Sequence, residues 1–111
     1  MLNKQFSDDA LARIREEALI YQCACPAQVC EALGHLRQVF DYQLSCMSKP
    51  SLLDTEGKVH QEIAQSTALA HAELEACLDR VLTLEGWDRN TFSMPAGLRE
   101  KLTEAILSDK S

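Results

Sequence analysis

Five cysteines and three histidines are the residues best suited to chemistry in this chain, and three of the thiols crowd one segment: Cys23-Ala24-Cys25-Pro26-Ala27-Gln28-Val29-Cys30. A thiolate is the form of cysteine that binds metal or attacks a disulfide, and the positive end of a helix favours it. Pro26 suits the first turn of a helix, so the cluster straddles an expected helix start. If the helices on either side of residues 48–51 are antiparallel, Met47 and Thr55 lie at one height, and each helix rises ~1.5 Å per residue. Counting back along both, Cys77 comes level with residues 25–26 and His71 with about residue 31. Cys46 lies ~24 Å along the same helix from Cys30, too far to share an ion with it.

The candidate metal site is therefore Cys23, Cys25 and Cys30 with Cys77 or His71. Such a tetrahedral thiolate set suits zinc, an iron–sulfur cluster or copper(I). The same three thiols are candidates for redox sensing. The competing expectation is packing, because a free cysteine behaves as a small buried hydrophobe. The C-x-C pair is only weakly diagnostic, and Cys77 falls in an apolar stripe.

Each histidine has a glutamate four positions away: Glu31 before His35, Glu56 before His60 and Glu75 after His71. Residues at that spacing share a helix face, and the expectation is three ordinary surface pairs. The Glu-x-x-His pattern of di-iron bundles, the His-Glu-x-x-His zinc motif, the phosphate-binding glycine loops and Gly-x-Ser-x-Gly are all absent. The chain reads as a non-enzyme. A different kind of site is the segment Trp87–Met94. Trp87, Phe92 and Met94 either plug one end of the fold or, if exposed together, anchor a protein partner.

These residues must be positioned by helices. Ser7 is an N-cap for the first, with Asp8 and Asp9 at its positive end, and Leu11, Ile14, Ala18 and Tyr21 form its apolar face. The residue before a proline is pushed out of the helical region, which ends this helix near Gln22 and starts the second at Pro26 with Cys25 near its N-cap. Val29, Leu33, Leu36, Phe40 and Met47, interrupted by Gln43, make the second apolar stripe, and Gly34 offers a point of close helix approach. Ser48-Lys49-Pro50-Ser51 breaks the chain. A third helix then carries Ile63, Thr67, Ala70, Leu74, Cys77, Val81 and Leu84 in an unbroken four-three repeat, and ends at Gly86. Ser93 caps a fourth helix, with Pro95 in its first turn and Leu98, Leu102, Ala105 and Ile106 on its apolar face. The tail Ser108-Asp109-Lys110-Ser111 is expected to fray. The expected fold is all-α, an antiparallel four-helix bundle with helices over 7–22, 26–47, 55–84 and 94–108, in a single domain over 1–111.

Composition narrows the function classes. A chain of 111 residues with 46% hydrophobic and 25% charged side chains can fold on its own core. Eleven Lys and Arg against seventeen Asp and Glu give a net charge of −6. That is unsuited to a nucleic-acid backbone or an anionic membrane surface. The sequence has no run of ~20 apolar residues and no apolar signal-peptide core after Met1. The expected location is the cytoplasm, where thiols stay reduced. The remaining expectation is a protein-interaction or regulatory module. Its partner is another protein, or a second copy held through the edges of the second and third helices.

Overall fold

Four helices and the turns between them account for the residues that the computed structural model describes, 2–47 and 54–109. They are α1 (Asp8–Ile20), α2 (Ala24–Met47), α3 (Asp54–Glu85) and α4 (Ala96–Asp109). Of the described residues 81% are helical, and none is in a strand. This is the all-α helical bundle that the sequence predicts. The Ser48–Ser51 break and the last two residues of the tail lie outside the described residues.

The helix ends follow from local chemistry. Ser7 Oγ accepts a 3.0 Å hydrogen bond from the Ala10 N–H, the expected N-cap. Gly86 has φ +75°. Around it the Trp87 N–H reaches the Leu82 carbonyl at 3.0 Å and the Gly86 N–H reaches Thr83 at 3.1 Å. That pair of bonds is a Schellman cap.

The same motif, not Pro26, ends α1. Gln22 sits at φ 56°, and the Cys23 N–H bonds to the Ala18 carbonyl at 2.8 Å. α2 then starts at Ala24, two residues earlier than expected. Pro26 is its third residue, where the backbone nitrogen has no intrahelical acceptor to lose. Ser93 does not cap α4. Its carbonyl accepts the Asp88 N–H at 2.9 Å, closing the 87–93 loop, while Pro95 sits at the helix entrance and its carbonyl receives the Leu98 and Arg99 N–H groups at 3.1 Å.

Cross-helix contacts fix the directions. Arg15 pairs with Glu31 and Asp8 with Arg37, so α2 runs back along α1. Gln43 meets His60 and Arg37 meets His71, so α3 runs back along α2. At ~1.5 Å per residue α1 is ~20 Å long and α3 ~48 Å. α1 therefore covers only one end of the α2–α3 hairpin, and the molecule measures 61 × 29 × 18 Å. The core lies at that covered end. Leu11, Ile14 and Ala18 of α1 meet Ala27, Cys30 and Leu33 of α2 and Leu78 and Leu82 of α3, closed by Phe6, Trp87 and Met94. Leu98 and Leu102 bring α4 against this cluster.

The buried stripes differ from those expected. On α2, Leu33 and Phe40 are inside as expected, but so are Cys30, Arg37 and Gln43, while Val29 and Leu36 are half-buried and Met47 is exposed. On α3 the buried positions are Ala64, Thr67, His71, Glu75, Leu78 and Leu82. Of the expected four-three repeat only Thr67 is buried. Leu74, Cys77 and Val81 are half-buried, and Ile63, Ala70 and Leu84 face outward.

Gly34 does not serve a close helix approach, because a Cβ built there meets nothing within 4 Å. Gly34→Ala therefore removes the helix-propensity penalty of glycine without a clash. We expect it to stabilise the fold by ~0.5–1 kcal/mol, read as a higher midpoint in urea unfolding.

Candidate functional sites: a buried ion cluster and an outward helix face

The sequence-predicted residues are brought together only in part. Cys30 is buried, Cys23 and Cys77 are half-buried and Cys25 is exposed. Burial pushes the Cys30 thiol up to about 11. The Cys23 thiol also rises, through burial and then the Glu85 carboxylate, against a lowering hydrogen bond with the Cys25 backbone. Desolvation thus dominates both thiols, and Cys30, the seventh residue of α2, lies beyond the first turn where a helix dipole acts. Among the described residues, no three His, Cys, Asp or Glu side chains converge to hold a metal ion. His71 is engaged elsewhere, with Arg37 rather than at the level of residue 31.

The 87–95 loop packs inward. Trp87 and Met94 are buried and Phe92 is half-buried, its ring 6.3 Å from that of Phe6. The indole N–H donates to Glu85 at 2.9 Å. Asp88 Oδ1 accepts the Asn90 and Thr91 N–H groups, which shapes the turn and points the aromatic side chains at the core. Of the two expectations for this segment, the residues take up the plug.

Sequence reasoning missed a buried polar cluster built on Arg37, which is 4% exposed. Its Nε donates to His71 Nε2 at 3.0 Å, its Nη1 to Asp8 at 2.6 Å, and its Nη2 to the Phe6 carbonyl at 2.6 Å and to Glu75 at 3.3 Å. Glu75 Oε2 also accepts the Gln5 and Phe6 N–H groups at 2.8 and 3.0 Å. The fork of one guanidinium thus ties α2 to α3 and to the segment before α1. A smaller junction sits on Glu17. It accepts the Met94 N–H at 2.8 Å and lies 3.7 Å from Arg13 and 3.4 Å from Arg99, joining α1 to the loop and α4. The geometry of Arg37 and Glu75 holds α2, α3 and the segment before α1 together.

His71 and Glu75 are each 1% exposed, which overturns the expected surface pair. His35 is exposed and His60 bonds to Gln43 at 2.5 Å; the expected glutamate partner of His35, Glu31, pairs with Arg15 instead. His71 Nε2 accepts from Arg37, so the ring is neutral. Burial pushes its pKa down, and Arg37 and Lys4 add to that against the raising effect of Glu75. Below the ordinary imidazole value of 6.5, the unfolded chain takes up a proton that the native chain does not. Stability is therefore complete above that pH and falls as the pH drops below it, with a slope of up to ~1.4 kcal/mol per unit. We expect His71→Gln to flatten this limb in unfolding curves measured between about pH 7 and pH 5.

The second candidate is the outward face of α3. Leu84 is 85% exposed, Leu69 74% and Val59 51%, with Ile63 and Ala70 also open. A shallow hollow on this side is lined by Asp79, Arg80, Thr83 and Leu84. No family model, curated protein or solved structure matches the chain.

Proposed function

We propose that this chain is a non-enzymatic helical module of the cytoplasm that works by binding protein through the outward face of α3. One observation carries the reading. A four-three apolar repeat from Ile63 to Leu84, the pattern of a helix-packing seam, runs along α3 with Ile63, Ala70 and Leu84 exposed, next to the stripe that the fold buries. Apolar side chains gathered on one exposed surface mark interaction sites. The net charge of −6 disfavours nucleic acid as the partner, and no described helix is long and apolar enough to cross a membrane.

The test is capture from native extract with three baits: the wild type, Leu69→Glu/Leu84→Glu on the outer face, and Asn90→Glu/Thr91→Glu on the exposed loop tip. Both variants change exposed residues and keep the wild-type unfolding midpoint. The α3 face is the binding site if only the outer-face variant loses the bound proteins. Equal capture by all three baits overturns the reading, and loss with the loop variant alone returns the site to the Trp87–Met94 segment.

A further inference from the structure

The outward seam of α3 has a self-complementary pattern. It follows the four-three repeat of Ile63, Thr67, Ala70, Leu74, Cys77, Val81 and Leu84, of which Thr67 is buried within the chain, Leu74, Cys77 and Val81 are half-buried and Ile63, Ala70 and Leu84 are exposed. Ile63, Ala70 and Cys77 each precede by one residue a buried position, Ala64, His71 and Leu78. The seam is thus turned ~100° from the intramolecular face. It spans ~32 Å of helix. Beside it α2 adds the half-buried Val29, Leu36 and Val39.

The charges choose the orientation. Glu73 and Arg80 border the seam on the side away from α2, seven residues apart, both well exposed and 3.5 Å from each other. An exposed pair of this kind is weakly held and readily exchanges partners. In an antiparallel seam the layers set Leu74 against Cys77 of the second copy and Ala70 against its Val81. That same register brings Glu73 beside Arg80 of the second copy, and symmetry makes the contact twice. It also brings the exposed Leu69 level with the hollow lined by Asp79, Arg80, Thr83 and Leu84 of the second copy. A parallel seam would bring Glu73 opposite residues such as Leu78, which the fold already buries, and gains no charge pair.

We infer that the occupant of the α3 face is a second copy of this chain, packed antiparallel about a two-fold axis near residues 75–76. The inference rests on the reading of this face as the binding surface and names its partner. The two hairpins form a four-helix layer with α3 at its centre, an apolar middle and a rim of two Glu73–Arg80 pairs, the arrangement of stable interfaces.

Sedimentation equilibrium of the full chain tests this, with circular dichroism to confirm folding. The wild type is expected to be a dimer that dissociates on dilution. Ala70→Glu, a change of one exposed helix residue to another good helix former, is expected to give monomer with unchanged helicity. Glu73→Arg and Arg80→Glu alone each place like charges together twice and weaken the dimer by about tenfold or more. The double exchange restores it, because the opposite pairs re-form. A wild type that stays monomeric up to about millimolar concentration, the weak limit of specific binding, overturns the second-copy inference; the capture experiment then decides separately whether the face binds a different protein. A dimer indifferent to Ala70→Glu, or single exchanges that the double exchange does not rescue, overturns the antiparallel α3 seam.

Discussion

Arg37→Met is expected to cost ~3–5 kcal/mol, the largest single effect in the molecule. The substitution fits the space of the aliphatic stem but removes the donors that satisfy His71, Asp8, the Phe6 carbonyl and Glu75. It leaves the Glu75 carboxylate inside the fold with the Gln5 and Phe6 N–H groups and the His71 ring 3.6 Å away, and no cation. Against a total stability of about 5–15 kcal/mol for a domain, that is enough to populate the unfolded chain. Arg37→Lys is expected to be nearly as costly, because a single ammonium cannot span four acceptors in fixed directions. Adding Glu75→Gln to Arg37→Met removes the stranded charge while keeping an acceptor for the two backbone N–H groups, and part of the loss returns. Urea unfolding of these three variants and of Glu75→Gln alone, followed at the helical ellipticity, checks this. Additive losses in the double variant would show that the two side chains do not act on each other.

The second large effect separates the two stripes of α3. Leu82 is fully buried and Leu84 is 85% exposed, two residues further on. Leu82→Ala leaves a cavity in the core cluster that also holds Ile14, Leu78 and Trp87 and is expected to destabilise by ~2–5 kcal/mol. Leu84→Ala is expected to change monomer stability by no more than ~0.5 kcal/mol. Unfolding is measured at a concentration low enough that association contributes nothing. Equal effects would mean that both stripes are buried within one chain.

The four helices were legible because their signals are local. Ser7, Gly86 and the apolar periodicity place ends and directions to within a few residues. The choice of buried face on α3 was not legible. Two stripes one residue apart run along it: one of Ala, Thr, His, Glu and Leu, the other more uniformly apolar. Hydrophobicity alone selects the second. The fold buries the first because Arg37 on α2 supplies a partner for His71 and Glu75, a long-range pairing absent from any local window. The only sequence trace was the four-residue spacing of His71 and Glu75 together with an arginine between Leu36 and Phe40 in an apolar stretch. Spacing could not separate this pair from Glu31 and His35, which stay outside. The cysteines misled for a related reason. Their crowding at a helix start suggests a dipole effect, but Cys30 is buried in the core cluster and that burial dominates its thiol. The loop aromatics were placed correctly by one of two expectations, and the turn built on Asp88 is what decides between them.

Amide hydrogen exchange of the unmodified chain at low and high concentration tests the association face most directly. Exchange in α3 between Ile63 and Leu84 should slow as concentration rises, while the 87–93 loop exchanges at a fixed rate. Exchange in α3 that is independent of concentration, or slowing confined to the loop, would contradict the assignment of the α3 face to a second copy.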